Sequence, residues 1–195
     1  MINGNIQIEL IQSVNTLIEK RDIKPICEII HRIFLSHLKG NKVVFSLETS
    51  VKTSFLLAFN LSGRNIKTEI EFKEKEDSKC ADLVIIKERI HIEFKNIKME
   101  EIKLKLPNGK YYQNTIDCDE SVGFANEMEE MDENEILKLK LNSETPGEET
   151  INDIWENLIK QTKENQKWIS KKLGKDVDSF CVLRIGLFRL KYQKI

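Results

Sequence analysis

The sequence predicts an α/β domain in which helices cover a sheet, and three observations lead there. Apolar residues recur at helical spacing through the first 63 positions, three strand-length runs follow, and a long capped helix later leads into an apolar strand. The order is helix, three strands, helix, strand, with two extra helices in front and an acidic insertion between the strands and the last helix. With 195 residues, 40% of them hydrophobic, the chain suits one well-cored domain over 1–195 and is short for two.

The elements follow in order. IQIELIQSVNTLIEK and DIKPICEIIHRIFLSHLKG form the N-terminal helices of residues 1–40, the second ending at Gly40. LETSVKTSFLLAFNLSG is a third helix, with Ser46 available as its cap and Gly63 as its stop. IKTEIEFKEK alternates as a strand. In CADLVIIKERIHIEFKN, Cys80 to Asn96, the runs LVII and IHIEF flank a charged KER turn and read as a hairpin. Thr150 caps INDIWENLIKQTKENQKWISKKL, a helix closed by Gly174, and SFCVLRIGLFRLKY is one final apolar strand. No repeat is visible.

Residues 99–150 have a different character and read as the insertion. PNGKYY is a turn and NSETPGEE is rich in breakers. Asp117 to Glu135 carries nine acidic residues and no basic one, a composition expected to be flexible or to protrude. ILKLKL, from Ile136, alternates and is expected to pair with EIKLKL, from Glu101, as a second small hairpin.

Several function classes are excluded or disfavoured. No run approaches the length of a membrane span, and the N-terminus lacks a basic start before an apolar block. Cys27, Cys80, Cys118 and Cys181 form no CxxC pair and read as reduced thiols, so the expected location is intracellular, cytoplasmic or nuclear. No GxxxxGK[ST] phosphate loop is present. The net charge is −1, yet without the acidic stretch 31 basic residues face 23 acidic ones. A body with an excess of +8 is suited to a phosphate backbone, although the same lysines would also serve solubility alone.

The chemistry-bearing pattern lies on the hairpin. Alternation puts Ile90, Ile92 and Phe94 on one strand face and His91, Glu93 and Lys95 on the other, with Asp82 at the mouth of the partner strand. Asp82, Glu93 and Lys95 make the pattern D…ExK. Two carboxylates at a strand junction can hold a hard divalent cation that keeps most of its waters, with a lysine beside it to orient a water and balance phosphate charge. The competing reading of the same residues is a solvent face bearing a Glu and a Lys.

D…ExK across a hairpin, between helix and strand on either side, resembles the PD-(D/E)XK superfamily, the restriction-endonuclease-like fold. Within it the sequence is most similar to the nuclease-like domain at the C-terminus of certain AAA-type ATPases. The likeness rests on ETSVKTSFLLAFNLSG, the ADLVI hairpin ending in EFK, a helix with QTK (Gln161 to Lys163) and a Gly-containing apolar strand. It covers most of the chain except the insertion and the first helix. Ala81 stands where the superfamily has its proline, and these 195 residues contain no ATPase motif.

The resemblance implies Asp82 and Glu93 as metal ligands, Glu48 as a third ligand from the helix, Lys95 as the catalytic lysine and Gln161 as a residue lining the site. It implies a Mg²⁺- or Mn²⁺-dependent nuclease acting on nucleic acid, DNA in preference to RNA, without a membrane partner; cutting both strands would favour a homodimer. The alternative is a degenerate nuclease fold that binds or assembles. Glu48 has a second explanation as the i,i+4 partner of Lys52, and Gln161 as the border of the apolar stripe. His91 could be a general base, but its place near the hairpin tip suggests a partly exposed strand histidine. Trp155 and Trp168 read as packing residues, with base stacking as the other option. His31 and His37 share no ligand geometry on their helix.

Overall fold

The computed structural model describes residues 4–39, 49–63, 67–74, 77–104, 123, 126–142, 149–186 and 189–195. Gly40, Ser46, Glu48, the PNGKYY turn and Cys118 lie outside them. The helices are α1 (Gly4–Lys20), α2 (Lys24–Lys39), α3 (Thr49–Leu61), the short α4 (Glu133–Leu137) and α5 (Ile151–Leu173). The strands are β1 (Lys67–Glu74), β2 (Asp77–Ile85), β3 (Ile90–Ile97), β4 (Asp178–Ile185) and β5 (Arg189–Lys194). They form one mixed sheet in the order β1-β2-β3-β4-β5, antiparallel throughout except for the parallel pair β3–β4.

Helices cover both faces of this sheet. Leu83, Ile85, Ile90, Ile92, Phe180 and Val182 point to α1, α2 and α3, where Leu17, Ile30, Phe55 and Phe59 complete a core. Cys181, Leu183 and Ile185 point the other way, to Ile151, Trp155 and Leu158 of α5, while Val84 meets Ile169 farther along that helix. A parallel pair needs a crossover connection, and α5 is the one that carries the chain from β3 to β4. Both ends of α5 are fixed as its sequence predicts. The Thr150 hydroxyl accepts from Asp153 N–H while the Asp153 carboxylate accepts from Thr150 N–H, and Gly174 terminates the helix at φ +64°.

Three expectations need correction. The last apolar run is two strands, because Gly186 adopts φ +63° and turns the chain into β5. A side chain there would also crowd the methionine sulfurs, a Cβ meeting Met99 Sδ at 3.0 Å and Met128 Sδ at 3.1 Å.

Second, Ile136 does not begin a strand. Asp132 and Glu135 close a capping box that starts α4, so Ile136 is helical and buried. Among the described residues the expected pairing survives as a single antiparallel bridge, Ile102 with Leu141, while Lys140 bridges to Thr150 instead.

Third, the described part of the acidic stretch, residues 126–135, and residues 136–142 after it pack on the body and do not stand away from it. Met128, Ile136 and Leu141 join Met99, Ile102, Trp155 and Leu183 in the α5-side core. Arg189 of β5 donates to the carbonyls of Met128 at 2.7 Å and Met131 at 2.9 Å, and Lys191 pairs with Glu133. The acidic side chains stay outside while a few apolar ones turn in. Residues 105–122 and 143–148 lie outside the described residues.

Among the described residues no helix is long and apolar enough to cross a membrane. Cys27 and Cys181 are buried free thiols, which burial pushes well above the ordinary thiol value, Cys181 to about 12.

Candidate functional site

The ladder between β2 and β3 runs from Ile85–Ile90 to Leu83–Ile92 and ends there. One residue farther, the Asp82 carboxylate takes the place of a strand carbonyl: Oδ2 accepts from Phe94 N–H at 2.9 Å. The strands part at a point where a side chain, rather than backbone, satisfies the donor. Phe94 itself faces α3 and stacks edge-on against Phe55, with ring centroids 5.1 Å apart. That contact seats α3 so that Lys52, one turn before Phe55, reaches Asp82 with its Nζ 3.5 Å from Oδ1.

Glu93 sits on the opposite face of β3 from Phe94 and is 1% exposed. Its Oε1 lies 2.6 Å from His91 Nε2 and accepts from Asn165 Nδ2 at 2.8 Å. Its Oε2 has a looser neighbour, Gln161 Nε2 at 3.5 Å, the outer limit of a hydrogen bond. His91 is completely buried, and its Nδ1 lies 3.0 Å from the Ser179 hydroxyl. The expectation of a partly exposed histidine is therefore wrong. Its place near the hairpin tip suggested solvent, whereas α5 and β4 close over it.

Asp82 and Glu93 feel one another's charge. Asp82 is raised above the ordinary 3.8, first because it is buried; the Phe94 N–H pulls it back, the like charge of Glu93 raises it, the Lys52 ammonium lowers it, and a hydrogen bond with Glu93 raises it again. A like charge this near makes ionisation of Asp82 costly, so Asp82 favours either a retained proton or a cation.

Of the expected site residues, the structure brings together Asp82, Glu93 and Gln161. Lys95 shares the strand face of Glu93 by alternation and is exposed; among the described residues its ammonium makes no hydrogen bond or ion pair. Glu48 lies outside the described residues. Lys52, proposed as the partner of Glu48, is paired with Asp82. Trp155 is core, 4% exposed, with the Lys191 ammonium 4.9 Å from its ring centre. Asn165, Ser179 and Lys52 were not expected at the site. Asn165 follows Gln161 by four, one helical turn, and could have been found as the polar member of a buried stripe; the other two leave no local signal.

The residues fit a hard cation with few protein ligands. Among the described residues no group of three or more His, Cys, Asp or Glu is assembled around a metal position, and Asp82 and Glu93 are the two expected carboxylate ligands that lie among them. Mg²⁺ accepts such a site because it retains several waters. Asp82 Oδ1 and Glu93 Oε2 are the oxygens held only at 3.5 Å, and hence the two with most capacity left. Comparison with protein-family models, with curated proteins and with solved structures finds no match for this chain.

Proposed function

We propose that the protein is a Mg²⁺- or Mn²⁺-dependent nuclease of the restriction-endonuclease-like type, hydrolysing phosphodiester bonds in nucleic acid, DNA before RNA. The observation that carries this reading is the placing of Asp82 and Glu93 on either side of the point where β2 and β3 part, near enough that burial and mutual repulsion hold Asp82 up. Asp82 Oδ1 and Glu93 Oε2 would hold the cation. When bound, it would supply Lewis-acid stabilisation of the charge that develops on the phosphate. Lys95, exposed on the same strand face as Glu93, would donate to a phosphate oxygen and orient the attacking water. Gln161, at the open side of Glu93, would take a second polar contact to the substrate.

The test is cleavage of single- and double-stranded DNA and of RNA with Mg²⁺, Mn²⁺ or EDTA, with Lys95→Ala as control. Metal-dependent cleavage lost in the variant supports the reading, and no cleavage of any substrate sinks it. One observation favours a second reading, a binding or assembly module on a degenerate nuclease fold. Lys52 on Asp82, and His91 with Asn165 on Glu93, already compensate both carboxylates with protein groups alone. Divalent-independent binding of nucleic acid or protein without turnover would favour it.

A further inference from the structure

Glu93 has an asymmetric environment. Asn165 donates to Oε1, and an ionised carboxylate is acceptor-only, so the short contact from His91 Nε2 must also be a donated N–H. In the neutral imidazole that proton assignment leaves Nδ1 as the acceptor, and the Ser179 hydroxyl 3.0 Å away is the donor it needs. Ser179 stands beside His91 in the parallel β3–β4 register, and both are completely buried. The three residues therefore come from β3, β4 and α5: His91 and Asn165 converge on Oε1, and Ser179 holds the far side of the His91 ring.

We propose that His91, oriented by Ser179, and Asn165 are positioning residues that hold Glu93 Oε1 with two donated hydrogen bonds, leaving Oε2 as the oxygen presented beside Asp82. The role rests on the metal-site reading above. Partners of this kind fix a ligand's orientation without touching the cation or the substrate, and their loss commonly costs ten- to a hundredfold in metal affinity.

The experiment combines two readouts on the full chain. Nitrogen-15 NMR of the metal-free protein reports which ring nitrogen of His91 carries the proton. Calorimetric titration with Mn²⁺ gives the Kd of wild type, Asn165→Leu, His91→Leu and His91→Gln, each checked for folding by its near-UV spectrum. The expected results are an Nε2–H tautomer whose proton exchanges slowly, and a Kd raised about tenfold or more in Asn165→Leu and His91→Leu. His91→Gln keeps a donor and should recover most of the affinity. Should His91→Leu fail to fold, Ser179→Ala replaces it; there the ring loses its orienting donor and the expected rise in Kd is smaller.

A wild type that binds Mn²⁺ with a Kd unchanged in the folded variants overturns the positioning role and leaves the metal site standing. An Nδ1–H tautomer overturns it as well. A wild type that binds no Mn²⁺, yet shows the Nε2–H proton, overturns the metal reading on which the role depends.

Discussion

Lys52 on α3 and Asp82 on β2 form an ion pair at 3.5 Å, with the lysine 15% exposed and the aspartate 32%. The pair places a protein cation at the mouth of the site, where a divalent ion would compete with it. Lys52→Met should therefore tighten Mn²⁺ binding, by about fivefold if the lost repulsion is worth about 1 kcal/mol, the value for unit charges 4 Å apart in water. In EDTA the same variant should melt earlier, because two neighbouring carboxylates lose their counter-charge. Calorimetry with and without Mn²⁺ checks both. Weaker Mn²⁺ binding would mean that Lys52 supports the site instead of competing for it.

Binding and chemistry should separate by residue. Asp82→Asn and Glu93→Gln should lose Mn²⁺ binding and cleavage together. Lys95→Ala should keep binding and slow cleavage by about a hundredfold or more, the scale of a positioned catalytic group. Ca²⁺, larger and looser in coordination, should support DNA binding without efficient turnover. Glu93→Ala is the wrong probe. Glu93 is buried, and truncation would strand the His91 and Asn165 donors at about 1–3 kcal/mol each, so the carboxylate cannot be regarded as a dispensable cleft residue.

The elevation of Asp82 fixes a sign for pH dependence in the metal-free protein. Between the ordinary 3.8 and the raised native value, the folded state retains a proton that the unfolded chain has released. This group's contribution to stability therefore falls as pH rises through that window and is level above it. Asp82→Asn does not titrate, so its stability relative to wild type should climb with pH across the window and then flatten. Urea unfolding in EDTA at a series of pH values measures the difference, and a flat profile would show that Asp82 titrates as it does in the unfolded chain.

The acidic segment should matter to stability. Met128 is 2% exposed against Met99 and the α5-side core, so Met128→Ala should cost about 2–5 kcal/mol, the range for a buried methionine truncation. Denaturant midpoints will show it. A loss below about 0.5 kcal/mol, the ordinary surface value, would mean that residues 126–130 do not belong to the core.

Where the sequence was legible, the signal was local. Thr150, Asp153 and Gly174 mark α5 because caps act on neighbouring backbone, and Asp82 and Glu93 are close because a hairpin joins them. The errors have local causes too. Gly186 inside an apolar run was a break signal overridden by hydrophobicity, and the D-x-x-E box of Asp132 and Glu135 was hidden by the alternation after it. The surroundings of Glu93 were illegible for a different reason. Neither the parallel register that puts Ser179 beside His91 nor the approach of Lys52 through Phe55 is encoded in neighbouring residues.

The crossover carried by α5 has a kinetic consequence. The hairpin bearing Asp82 and Glu93 can close early, because Phe94 and Asp82 are only 12 positions apart. The bond from Asn165 to Glu93 spans 72 positions and that between His91 and Ser179 spans 88, so both must wait for closure of a large chain loop. Until β4 docks, Glu93 remains hydrated, and its desolvation falls late on the folding route. Asn165→Leu should then accelerate unfolding in stopped-flow chevrons and leave the refolding limb nearly unmoved. On this ordering, the carboxylate is dried late, as β4 docks, and the chevron of Asn165→Leu is the measurement that checks it.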